Sequence, residues 1–183
     1  NHQIPFPNIR KFTRLNRIYA VLSAINGAII RGFGKDDLLK EACRIAVEHG
    51  CFSLAWAALD DGTGKLVPTA WAGHDRAYID DLMERSANDS SPVPLAITAF
   101  TENREIIAGG FENDDTIAPW KDLPNEYGYR SAAAFPLRIG EKSVGALALY
   151  STEPDYFKDK DELKRRIDAA AKNNFGFGGT NGT

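Results

Sequence analysis

Residues Cys51 to Asp60 are a run of aromatic and small apolar residues. They end at Asp60-Asp61-Gly62-Thr63-Gly64, after which Lys65 to Gly73 is again strand-like. Two such runs around a glycine-bearing loop predict a hairpin. Successive side chains of a strand point to opposite faces, so Phe52, Leu54, Trp56 and Ala58 share one face while Ser53, Ala55, Ala57 and Leu59 share the other. Both faces are mainly apolar. A strand of that kind has to be covered above and below, so the chain is expected to build at least three layers around a sheet.

The remaining elements supply those layers. Leu15, Ile18, Leu22, Ile25 and Ile29 recur at steps of three and four between Lys11 and Arg31, which predicts a helix with a narrow apolar seam. Its heptad-like rhythm suits pairing with a copy of itself or packing on its own domain. Gly32 and Gly34 end it, and a second helix begins at Asp36, with Leu38, Leu39, Ala42, Cys43, Ile45, Ala46 and Val47 on a broad apolar face up to Gly50. Cys43 on that face reads as a buried thiol acting as a small hydrophobe. Helices are expected over Asp75 to Ala87 and Pro94 to Thr101, a short strand over Arg104 to Ala108, and a short helix near Trp120 to Tyr127. Tyr129 to Ile139 and Lys142 to Ser151 form the clearest hairpin, turning at Gly140-Glu141. A last helix starts near Asp159, and residues 174–183 form a Gly/Asn/Thr-rich tail. This order predicts an antiparallel sheet with the helices from the two chain ends on one face and the middle helices and loops on the other.

Charge and motifs narrow the function classes. With 22 Lys+Arg against 25 Asp+Glu among 183 residues, the formal net charge is −3. No cationic surplus is present to neutralise nucleic-acid phosphates. The longest apolar runs, such as Ala132 to Leu137, fall far short of the roughly 18 residues that predict a membrane-spanning helix, so no direct membrane insertion is expected. Two cysteines, Cys43 and Cys51, suit neither a redox Cys-x-x-Cys nor a disulfide scaffold, which points to the cytoplasm. The opening Asn1-His2-Gln3-Ile4-Pro5 has no Met and no signal pattern, so the chain reads as a piece of a longer polypeptide.

His2, His49 and His74 lack metal-ligand spacing. The carboxylate pairs Asp60-Asp61, Asp80-Asp81 and Asp114-Asp115 have no partner suited to acid–base work. No phosphate loop, nucleophile elbow or complete dinucleotide fingerprint occurs. Neither a catalytic group nor a metal site is therefore expected, and the sequence names no cofactor.

Certain runs are more specific. Arg44-Ile45-Ala46-Val47-Glu48-His49-Gly50 leads into Phe52, Leu54, Ala55 and Trp56, and Leu66-Val67-Pro68 is followed by Ala70-Trp71-Ala72-Gly73. Together these resemble the first half of a bacterial GAF sensor domain. Ala118-Pro119-Trp120, then Gly128 to Leu137 and Val144 to Ser151, resemble the second half. The resemblance runs from about Leu15 to Phe157. It implies an α+β, three-layer α/β/α sandwich around a five- or six-stranded antiparallel sheet, as a single domain over residues 1–173. It also implies a small-molecule pocket between the sheet and the middle helices and loops, and a place in a signalling protein of the histidine kinase or diguanylate cyclase type.

The cyclic-nucleotide signature and the chromophore-bearing cysteine of other such domains are not found, so neither ligand is expected. The cysteine set of members that reduce free methionine sulfoxide is not reproduced either. A small enzyme of that type and a ligand-free structural module remain the alternatives to a sensor. The pocket is expected to use Trp56, Met83, Ile97, Phe100, Trp120, Tyr127, Ser131 and Ala133. Asp115 is included as the cap of the helix before Trp120 or as a ligand contact. A homodimer is expected through the N- and C-terminal helices, along Leu15, Ile18, Leu22, Ile25 and Ile29.

Overall fold

The computed structural model describes residues 23, 35–48, 50–73, 76–88, 94–108, 123, 126–154, 156 and 165. The elements run α1 (Lys35–Glu48), β1 (Leu54–Asp60), β2 (Leu66–Gly73), α2 (Arg76–Asn88), α3 (Leu95–Glu102), β3 (Ile106–Ala108), β4 (Ser131–Ile139) and β5 (Lys142–Ser151). The strands form one open sheet in the order β2-β1-β5-β4-β3, and every neighbouring pair is antiparallel.

The two-sided strand is where the pattern put it. In β1, Ala55 and Ala57 join Leu39, Ala42, Cys43 and Ala46 of α1 in one core. Leu54, Trp56 and Ala58 join Tyr78, Ile79 and Leu82 of α2 and Leu95, Ala96 and Ala99 of α3 in the other. The sheet is therefore covered by α1 on one face and by α2 and α3 on the other. Alanines at 132, 134, 146 and 148 meet Ala96 and Ala99, and their small size lets α3 lie close on β4 and β5. In the same way Gly145 has no room for a side chain, since a Cβ there would sit 2.3 Å from the Ala58 carbonyl oxygen on β1.

Local chemistry sets the element ends. Asp60 Oδ1 accepts from the backbone N–H of Gly62 (3.1 Å) and Gly64 (2.9 Å), and Asp61 Oδ1 from that of Thr63 (2.8 Å). These bonds build the β1–β2 loop as side-chain-closed turns. Both prolines in strands occupy tolerated places. Pro68 lies on the edge strand β2 beside a register shift. Pro136 lies on β4 beyond the stretch 132–134 that β3 covers.

The structure corrects several expectations. Phe52 lies in the α1 core rather than with Leu54 and Trp56, because the left-handed Cys51 (φ 59°) turns the chain before β1 begins. Its ring packs on Tyr156 at 4.6 Å, and the Tyr156 hydroxyl donates to the Gly50 carbonyl. The short strand is Ile106–Ala108, not Arg104 to Ala108, since Asn103 is left-handed and the Arg104 N–H still closes onto the Ala99 carbonyl. The seam residues Leu15, Ile18, Leu22, Ile25 and Ile29 lie outside the described residues. So do Asp115, Trp120, most of the helices expected near Trp120 and Asp159, and the tail.

Candidate functional site

Alternation along β1 and β5 brings Trp56 and Tyr150 to the face covered by α2 and α3, and α2 lowers Tyr78 onto them. Tyr129, just before β4, completes the group. Tyr78 is the hub. Its ring meets those of Tyr127, Tyr129 and Tyr150 edge-on, with centroids 5.2, 5.2 and 5.0 Å away and planes at 74°, 79° and 71°. These are the offsets that the aromatic quadrupole favours.

The polar tips of this cluster are buried. The Trp56 indole N–H and the Tyr78 hydroxyl have no partner at hydrogen-bonding geometry. The Tyr150 hydroxyl stands between them, near enough to interact with both side chains. Burial pushes the Tyr78 hydroxyl well above its ordinary pKa, with Tyr150 adding to the shift. Burial raises Tyr150 as well, against the opposing influence of Tyr78 and Trp56. Both phenols are therefore neutral donors at physiological pH. Native interiors seldom leave such donors unpaired.

Five of the site residues expected from the sequence come together here. Trp56 is fully buried, and Met83, Ile97, Phe100 and Tyr127 are partly buried against the same cluster. Two are misplaced. Ala133 belongs to the α1 core, because the period of two sends 131 and 133 to one face and 132 and 134 to the other. Ser131 shares the Ala133 side, and its hydroxyl donates to the Glu153 carbonyl at 2.6 Å. Opposite it in the register, the Ser151 hydroxyl accepts from the Glu153 N–H at 3.1 Å. This serine pair ties down the chain after β5. Tyr78, Tyr129 and Tyr150 were missed. The available signal was Tyr78 preceding Ile79 and Leu82 on one helical face, and Tyr150 two and four residues from Ala148 and Ala146 on β5.

The cysteines lie elsewhere. Cys43 is buried in the α1 core, where desolvation pushes its thiol up to about 12, and Cys51 is exposed at the α1–β1 junction. Among the described residues no group of three or more His, Cys, Asp or Glu side chains forms a metal site. No helix among them is long and apolar enough to cross a membrane.

A five-stranded antiparallel sheet covered by helices accords with a family model described as GAF domain, which matches residues 34–164. The chain belongs to the GAF domain family. No curated protein matches the sequence. Among solved structures, the GAF domain resembles that of A. aeolicus nlh2 in an inactive state, with a TM-score of 0.52 and 12% identity over 90% of this chain and 92% of that one. It also resembles the free methionine-R-sulfoxide reductase of Neisseria meningitidis in complex with its substrate (TM-score 0.54, 15% identity, 86% and 88% covered). A third is the GAF domain of the Acinetobacter phosphoenolpyruvate-protein phosphotransferase (TM-score 0.52, 12% identity, 89% and 90% covered). At these identities the likeness is one of fold.

Proposed function

We propose that this GAF domain is the cytoplasmic sensor module of a signal-transduction protein, that it binds a small molecule between the sheet and helices α2 and α3, and that it works as a homodimer through its terminal helices. The observation that carries the reading is the pair of buried donors, Trp56 Nε1 and the Tyr78 hydroxyl, that stop short of hydrogen-bonding geometry although both interact with Tyr150. An unpaired buried donor costs about 1–3 kcal/mol. A ligand acceptor placed there would recover that cost, which is how a few convergent polar groups orient a molecule in an apolar hollow. Trp120 and Asp115, singled out from the sequence alone, are further contacts in this reading.

A metabolite screen by thermal shift tests it, with each hit re-measured on Tyr78→Phe. Loss of the hydroxyl is expected to weaken binding about five-fold while the domain stays folded. Hits that bind the variant as tightly as wild type would remove the site from this layer.

The second reading, reduction of free methionine sulfoxide, draws on the fold likeness to reductases of that activity. Against it, thiol chemistry needs a thiolate, and Cys43 is held protonated in the layer away from Trp56 and Tyr78. Turnover of free methionine-R-sulfoxide by wild type that disappears in Cys51→Ser would favour the enzyme.

A further inference from the structure

On the sheet face opposite the tyrosines, the β1–β2 loop and the β4–β5 turn border a cavity of about 170 Å³ beside the N-terminal half of α1. Leu39, Leu59, Val144 and Ile139 supply apolar walls, and Asp60, Gly62 and Lys142 complete the lining. Ile139 and Lys142 are register partners across the hairpin, and Ile139 leaves 45% of its surface in water. The two charges at the lining are not equivalent. Asp60 turns its carboxylate into its own loop, where Oδ1 takes the N–H groups of Gly62 and Gly64. Lys142 forms no ion pair with any described residue. The result is an apolar hollow lined in part by an exposed lysine that has no ion pair among the described residues. Since an apolar cavity of about 150 Å³ accommodates benzene, this one holds roughly six to eight non-hydrogen atoms.

We propose that this cavity binds a small amphiphilic carboxylate, its hydrocarbon tail against Leu39, Leu59, Val144 and Ile139 and its carboxylate on the Lys142 ammonium. The tail leaves water for an apolar site. The head pairs with a cation at a solvated rim, where a long lysine side chain can follow it. An amine of the same length meets repulsion from Lys142, and an alcohol lacks the ion pair. The site is independent of the tyrosine layer, which lies on the other side of the sheet.

Titration with hexanoate, followed by two-dimensional amide NMR, tests the assignment, with hexanol and hexylamine at equal ionic strength as matched probes. Hexanoate is expected to shift Leu39, Leu59 and Val144, to bind about three-fold more tightly than hexanol, and to outcompete hexylamine by more. Lys142→Met should reduce hexanoate to the level of hexanol, and Ile139→Asp should weaken it further. Both residues are exposed, so the amide spectrum of each variant should remain that of the folded domain. The proposal is overturned if hexanoate causes no shifts at millimolar concentration, if the shifts centre on Trp56 and Tyr78, or if hexanoate binds no better than hexanol. It is equally overturned if both variants bind hexanoate like wild type.

Discussion

Tyr78 and Ser131 are both buried hydroxyls, and they differ in what each holds. The Ser131 hydroxyl is spent on the Glu153 carbonyl, whereas that of Tyr78 faces Tyr150 without reaching hydrogen-bonding geometry. Removing a bonded group strands its acceptor, while removing an unpaired one relieves a desolvation cost. Urea denaturation should therefore show Ser131→Ala losing about 1 kcal/mol, and Tyr78→Phe matching wild type or exceeding it. The thiols separate in a similar way. Ellman titration of the native domain at pH 8 should label Cys51 and spare Cys43, with both reacting after unfolding. Burial raises the Cys43 pKa from 9.0 to about 12, so the neutral thiol is the favoured form in the fold. Its contribution to stability is complete below pH 9 and is lost as the pH rises towards 12. The unfolding free energy of wild type should fall across that window more steeply than that of Cys43→Ala.

Among the elements, α3 ends at a residue the sequence does not flag. Asn103 takes the left-handed conformation at φ 53° and ψ 45°, and Arg138 grips it from β4. Arg138 Nε donates to Asn103 Oδ1 (2.6 Å), and its terminal nitrogen donates to the Asn103 carbonyl (2.8 Å). Asn103 Nδ2 in turn donates to the Glu141 carbonyl at 2.9 Å in the β4–β5 turn. Asn103→Ala combines left-handed strain with the loss of these side-chain bonds, and should cost about 2 kcal/mol by urea denaturation. Asn103→Gly keeps the backbone conformation and should cost less. The same segment marks the limit of what pattern alone conveys. The β4–β5 hairpin was legible because its alternation and turn are local, so Lys142–Ser151 came out residue for residue. Ser131 and Ala133 face the layer opposite the expected one, because alternation separates two faces without stating which helices cover each. That choice depends on pairings between residues such as Leu54 and Tyr150, nearly a hundred positions apart. The aromatic cluster was half legible for the same reason. Trp56 announces itself as a large ring on a two-sided strand, while Tyr78, Tyr129 and Tyr150 gain their meaning only when three separate elements converge.

At the scale of the molecule, the layered α+β architecture followed from one strand with two apolar faces, since no two-layer arrangement could bury it. In the proposed homodimer, Leu15, Ile18, Leu22, Ile25 and Ile29 would supply the seam. Sedimentation of wild type against a Leu22→Glu/Ile25→Glu double variant is expected to show a dimer giving way to a folded monomer. A wild type that stays monomeric at high concentration would sink that expectation.

The strand order carries a consequence for how the domain comes into being. The centre of the sheet, β1 against β5, is made from the first strand and the last. While the chain is being synthesised, β1 and β2 emerge with one side of β1 unsatisfied, and they must wait for some eighty further residues before Leu54 finds Tyr150. Closing so large a loop is slow. A ribosome paused anywhere before residue 142 holds an exposed, alanine- and tryptophan-rich strand with no neighbour on that side. Protease resistance of a ribosome-bound chain is therefore expected to appear only once β5 has cleared the exit tunnel, which limited proteolysis of chains stalled before and after residue 151 would show.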